Sequence, residues 1–275
     1  MKLRLVAALA GALLLAFPAS SPAAAPKIYL SLGDSLAAGY LSPAQPISTQ
    51  GYADQLLALK KAAGANLTLK KLGCPGETTT QMISGGGHCP YARGSQLKEA
   101  VAFLKRYGKR VAFVTIDIGA NDILPCNPTN IGCTAAALGA VQTNFPRIIR
   151  ALRQAAGPDV KLKIASMTYY APGLALWLTG PAGQAQATAY VNSFIAPLNA
   201  IVRSMYSGLR VRTAAVDRAF SVTDFTTTAD LPGVGAVPLN VAKTCTLTSM
   251  CTQQNIHPNA QGYGVIAQAF AAALR

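Results

Sequence analysis

The feature that most constrains this chain is an alternation of short apolar runs with longer segments of helical spacing, sustained from residue 28 to residue 274. Candidate strands are Ile28–Leu32, Leu67–Leu72, Val111–Ile118, Val160–Ser166 and Leu209–Val216, apolar or β-branched runs that end near Gly, Asp or Ser. Candidate helices are Tyr52–Ala63, Ser95–Tyr107, Thr134–Ala155, Ala185–Met205 and Ala260–Leu274, which repeat apolar residues three and four apart. Strand–helix–strand units of this kind close as right-handed crossovers, so the chain predicts a parallel sheet covered by helices on both faces. Sheets of that type place ligands beyond the carboxyl ends of their strands. The stretches 73–94, 122–133, 169–184 and 221–258 break the alternation and read as loops; they hold all six cysteines and both histidines. A rigid scaffold carries its chemistry on such loops.

The start of the chain has a different character. Lys2 and Arg4 precede the apolar run Leu5–Phe17, and small residues follow from Ala19 to Ala25. A membrane span needs about 20 apolar residues, so the pattern predicts a cleaved signal peptide over 1–24, with the cut after Ala23, Ala24 or Ala25. Residues 25–275 show no repeat or linker and read as a single secreted, extracellular domain. Six cysteines agree with an oxidising compartment. Several pairings are open to them, and the spacing favours the local loops Cys74–Cys89, Cys126–Cys133 and Cys245–Cys251. A zinc site needs closely spaced Cys pairs or clustered His; neither occurs, so no metal is expected.

Charged residues are only 12% of the chain, and hydrophobic residues 51%, which excludes a disordered chain or a coiled coil. Lysine and arginine outnumber the acids 24 to 10, and losing Lys2 and Arg4 takes the formal charge from +14 to +12. That excess gives a weak attraction to anionic surfaces. No basic run interleaved with aromatics points to nucleic acid, which is not expected as a partner.

Three segments follow the first three strands and so project to one edge of the sheet. They are Gly33-Asp34-Ser35, Leu72-Gly73-Cys74-Pro75-Gly76 and Gly119-Ala120-Asn121-Asp122. A serine there can attack a carbonyl, with backbone N–H groups supplied by a helix start. Glycine lets an N–H approach a reacting oxygen closely, and asparagine adds a side-chain donor. Simpler roles exist for each: Ser35 or Asp34 as a helix cap, Gly73 in a turn, Asn121-Asp122 as a cap. A base must come from two histidines. His257, in Asn255-Ile256-His257-Pro258, opens the last helix, whereas His88 sits in a Gly-rich loop between cysteines. His257 is the better general base.

These residues resemble the four blocks of the SGNH (GDSL) hydrolases: GDS at Ser35, the glycine at Gly73, GxND at Gly119–Asp122 and HP at His257. The order and spacing match over nearly the whole mature chain. The resemblance implies a flavodoxin-like three-layer α/β/α sandwich with a five-stranded parallel sheet, and ester hydrolysis without a cofactor. It implies Ser35 as nucleophile and His257 as base, with the Ser35 N–H, the Gly73 N–H and the Asn121 side chain as oxyanion hole. The cysteine pattern is similar to that of secreted bacterial esterases and lipases of the family. One position departs. The family places Asp three residues before the histidine, where this chain has Gln254, followed by the equally non-acidic Asn255. The expectation is a Ser–His dyad whose imidazole is oriented by the Gln254 backbone carbonyl; a remote acid such as Asp224 or Asp230 is the alternative.

The expected substrate is a small-molecule or lipid ester, and the expected state a monomer. A polysaccharide acetyl esterase shares the chemistry and differs in the pocket. A non-catalytic basic protein of the cell envelope would show a damaged dyad. The apolar segment Tyr169–Leu178 suits the wall of an acyl pocket or a loop packed on the core. Neither a G-x-S-x-G elbow nor a G-x-x-x-x-G-K-[ST] phosphate loop occurs, against an α/β-hydrolase or nucleotide enzyme.

Overall fold

Strand β1 (Lys27–Gly33) divides its side chains between two cores: Ile28, Leu30 and Leu32 pack on one face of the sheet and Tyr29 on the other. The computed structural model describes residues 25–126 and 130–275. The expected signal peptide, 1–24, lies outside the described residues. β1 is flanked by β2 (Leu67–Lys71) and β3 (Val111–Asp117), with β4 (Ile164–Met167) and β5 (Arg212–Ala214) beyond β3. All neighbours are parallel, in the order β2-β1-β3-β4-β5. This is the flavodoxin-like sheet that the resemblance implied.

The helices in chain order begin with α1 (Ser35–Ala38), α2 (Tyr52–Ala62), α3 (Thr79–Ser84), α4 (Gln96–Tyr107), α5 (Ala120–Ile123) and α6 (Ile131–Ala156). They continue with α7 (Pro181–Tyr190), α8 (Ala196–Gly208), α9 (Val216–Ala219), α10 (Leu239–Leu247), α11 (Met250–Gln253) and α12 (Ala260–Ala273). Leu104 of α4, Phe145 and Ile148 of α6 and Val202 of α8 bury against Leu30 and Val114 on one face. Leu56 of α2 and Ile266 and Phe270 of α12 join Tyr29 and Phe113 on the other. Three layers result.

Several expectations change. The expected strand Val160–Ser166 is β4, which starts at Ile164, and Leu209–Val216 shortens to β5, with Val216 opening α9; the stretch 73–94 holds α3. The continuous helix Ala185–Met205 is α7 and α8 joined by a π-turn at Val191–Ile195, in which the Ala196 N–H reaches back to the Val191 carbonyl. Pro197 explains the slip, because it has no N–H to donate and its ring crowds the preceding turn. The stretch 221–258 is not a plain loop. It holds an antiparallel hairpin, β6 (Thr228–Leu231) with β7 (Gly235–Pro238), and the helices α10 and α11. α10 buries Asn240, Thr244 and Cys245 beside Val241 and Leu247, so its inward face lacks the apolar period that marks the others.

The three local disulfides Cys74–Cys89, Cys126–Cys133 and Cys245–Cys251 are all formed. No helix among the described residues is long and apolar enough to cross a membrane.

Candidate active site

β1, β2 and β3 run parallel as neighbours, with one register shift between β1 and β3 at Ile28–Tyr29, so the segments after them emerge at the same edge. After β1, Gly33 turns with φ of +134°, and a Cβ there would lie 2.1 Å from the Asp117 main-chain oxygen. Only glycine fits. Asp34 then caps α1, accepting from the Leu36 N–H at 3.0 Å, which makes Ser35 the first residue of that helix. Gly73, after β2, packs so closely on α1 that a Cβ would lie 2.6 Å from Ala37 Cβ. The N–H groups of Ser35 and Gly73 find no acceptor among the described residues.

After β3, Asn121 sits in α5 and donates from Nδ2 to the Glu77 carbonyl at 3.1 Å. Its neighbour Asp122 binds the first residue of α3, accepting from the Thr79 N–H at 2.8 Å and the Thr79 hydroxyl at 2.6 Å. The loops after β2 and β3 are thus tied to each other directly beside Ser35.

His257 arrives from the far end of the chain, ahead of α12. Its Nε2 lies 2.9 Å from Ser35 Oγ. Its Nδ1 lies 2.7 Å from Asn255 Oδ1. The Asn255 amide has one orientation, because its Nδ2 donates to the Leu41 carbonyl at 3.0 Å while Oδ1 also accepts the His257 N–H at 3.1 Å. An amide oxygen only accepts, so Nδ1 carries the proton and the Nε2 lone pair faces the serine. Burial pulls the imidazole down to about 4, which keeps it neutral across the neutral pH range.

The expected orienting group is therefore corrected. Gln254 ends α11 in a left-handed conformation, φ +52°, with its N–H returning to the Met250 carbonyl. That reversal lets the next residue, Asn255, close a turn onto the His257 N–H and bring its amide oxygen to the ring. The sequence signal was the Asn-x-His spacing, since asparagine bonds backbone two residues on. The remote acids stand elsewhere. Asp224 caps its own turn by accepting from the Thr226 and Thr227 N–H groups, and Asp217 is paired with Arg203. Asp230 lies on β6. His88 packs against Gly76 inside the loop closed by Cys74–Cys89.

Ser35, Asn121 and His257 share one cavity of about 200 Å³. The rest of its wall is mostly apolar, with Ile123, Tyr169, Phe194, Ile195 and Leu198 prominent. Tyr169 donates its hydroxyl to the Ile118 carbonyl at 3.0 Å, and Tyr170 to the Ile256 carbonyl at 2.8 Å. Both hydroxyls are spent on the fold, leaving ring surface to the cavity. The segment that suited an acyl wall splits its duties: Tyr169, Tyr170 and Pro172 line the cavity, while Leu174 lies in the core. Carboxyl groups gather behind the serine. Burial raises Asp34 to about 6 and Glu77 to about 7, and Glu77 Oε2 is buried with no hydrogen-bond partner among the described residues.

A family model described as GDSL-like lipase/acylhydrolase matches residues 31–265. Among solved structures, the acetylxylan esterase Axe2 from Geobacillus stearothermophilus superposes with a TM-score of 0.52 at 16% identity, over 90% of this chain and 94% of that one. A point mutant of the same enzyme gives 0.56 at 15% identity over the same shares. TesA gives 0.50 at 16% identity, over 90% of this chain and 98% of that one. At these identities the likeness is one of fold. Among curated proteins, none matches the sequence.

Proposed function

Because the chain belongs to the GDSL-like lipase/acylhydrolase family and is a carboxylic ester hydrolase, we propose that it is a secreted serine esterase of aliphatic acyl esters working through an acyl-enzyme. The observation that carries this reading is the 2.9 Å contact between His257 Nε2 and Ser35 Oγ at the mouth of an apolar cavity. His257 takes the serine proton as Oγ attacks the ester carbonyl. The oxyanion that forms is met by the free N–H groups of Ser35 and Gly73 and by the Asn121 amide, whose second N–H is not used on Glu77. The imidazolium returns its proton to the leaving alcohol, and water repeats the sequence to release the acid. Asn255 is a positioning residue, and a neutral one, so Ser35 and His257 form a dyad rather than a triad.

Acetyl removal from a polysaccharide, the reaction of the acetylxylan esterase Axe2, is the competing reading. The cavity wall favours the acyl esters instead, since it is mostly apolar and the hydroxyls of Tyr169 and Tyr170 have no proton left to donate to a sugar. A series of p-nitrophenyl esters from acetyl to palmitoyl, beside acetylated xylan, tests it. kcat/KM should rise from acetyl toward medium chains and xylan should be a poor substrate. A maximum at acetyl together with rapid xylan deacetylation would overturn the choice. Secretion is tested by expressing the full chain with and without residues 1–24 and assaying the medium.

A further inference from the structure

Asp34 and Asp117 lie together beneath the nucleophile, 3% and 1% exposed. The Asp34 N–H donates to the Asp117 carbonyl at 3.0 Å, and the two side-chain carboxyls accept from consecutive amides, those of Leu36 and Ala37, which sets them side by side. Two carboxyls held side by side out of water do not both ionise, so the pair keeps one proton between them. Among the described residues no ion pair involves either acid. The ionisable groups whose charge the pair feels are themselves acidic or phenolic: Glu77 and Asp122 from the flanking loops, Tyr29 and Tyr52 against Asp117, and Tyr169, Tyr170, Tyr206 and Tyr263 further off.

The remaining oxygens of the pair are spent on the serine turn. Asp34 Oδ1 accepts from the Leu36 N–H at 3.0 Å, and Asp117 Oδ2 from the Ala37 N–H at 3.2 Å. These are the two amides directly after Ser35. The Tyr52 hydroxyl donates to Asp117 Oδ1 from α2 and holds that carboxyl in place. Gly73 in turn rests on Ala37 and Ala38, so whatever fixes Ala37 also fixes the spacing of the Ser35 and Gly73 N–H groups.

We propose that Asp117 is a positioning residue which, by sharing one proton with Asp34, locks the turn that presents the Ser35 hydroxyl and aligns the two backbone N–H donors. The proposal rests on the esterase reading above for its kinetic readout, but the shared proton is tested without turnover.

The variants are Asp117→Asn, Asp117→Ala and Tyr52→Phe, each compared with wild type for kcat and KM on a p-nitrophenyl ester and for thermal unfolding. An asparagine at 117 keeps a donor for Asp34 and an acceptor for the turn, so kcat should fall no more than about fivefold; alanine removes both and should lower kcat by about 30-fold or more, with KM within about twofold in each case. A wild-type-minus-Asp117→Asn infrared difference spectrum at pH 8 should show the loss of a protonated carboxyl stretch. Should Asp117→Ala fail to fold, Tyr52→Phe decides the kinetics: a fall in kcat at constant KM supports the proposal. Equal losses in the Asn and Ala variants, a change confined to KM, wild-type kcat in folded Asp117→Ala or in Tyr52→Phe, or no carboxyl band in the wild type would overturn it. Wild-type protein that hydrolyses no ester but shows the band would sink the esterase reading and leave the shared proton standing.

Discussion

Asn255 Oδ1 accepts from His257 Nδ1 at 2.7 Å across a single intervening residue, so the partner that holds the imidazole is local to it in sequence. A carboxylate in that role would stabilise the imidazolium as well as select the tautomer; an amide selects the tautomer and adds little charge.

Asn255→Ala should therefore lower kcat by about 10- to 100-fold, less than the loss of a triad aspartate costs. Asn255→Asp should shift the acid limb of kcat/KM upward, because a carboxylate beside the ring favours its protonated form. Gln254→Ala should leave most activity. Activity lost in Gln254→Ala and kept in Asn255→Ala would return the orienting role to residue 254.

Burial holds the His257 imidazole down to about 4. The base must be neutral to work, so kcat/KM should rise with pH through about 4 and be flat by pH 6, well below the limb of an ordinary histidine near about 6.5. The unfolded chain binds the proton more readily between these values, so this group also makes stability rise with pH across the same window. An acid limb at 6.5 in a pH–rate profile would show that the ring is solvated in the working enzyme.

Ser35→Ala should abolish ester hydrolysis, a loss of about 10⁶ in kcat by analogy with other serine hydrolases. Asn121→Ala should lower kcat by about 10²–10³ with little change in KM, as befits a donor that meets charge only as it develops. A raised KM at constant kcat would make Asn121 a substrate-binding residue instead.

Glu77 is buried, and its carboxyl is raised from 4.5 to about 7. Between those values the folded protein holds a proton that the unfolded chain has released, so ionising Glu77 makes stability fall as pH rises through the window. Glu77→Gln cannot ionise. Its stability relative to wild type should grow by about 1–3 kcal/mol from pH 4.5 to pH 7 and then level off. Thermal unfolding at pH 4.5 and pH 8 measures this directly, and a gap independent of pH would show that the carboxyl is not the cause.

Local pattern carried the central strands β1, β3 and β4, which are largely apolar runs, while the edge strands β2 (LTLKK) and β5 (RTA) are more polar and β5 is much shorter than its expected span. Local pattern carried the disulfides for a related reason: pairs 15, 7 and 6 residues apart close small loops that the chain forms locally. Ser35, Gly73 and Asn121 could be picked out because they sit where parallel strands end, and His257 because the chain has only two histidines; the structure brings Ser35, Asn121 and His257 to one cavity. Short elements were not legible. α3 and α10 lack a full apolar period, and the π-turn at Val191–Ile195 depends on how the chain accommodates Pro197 against the cavity. The choice of Asn255 over Gln254 turned on one left-handed residue at the end of α11. The meeting of Asp34, Asp117 and Tyr52 was beyond any local reading. Those three residues lie on β1's exit, β3's end and α2, and only the packed sheet removes the water that would otherwise have kept both acids charged.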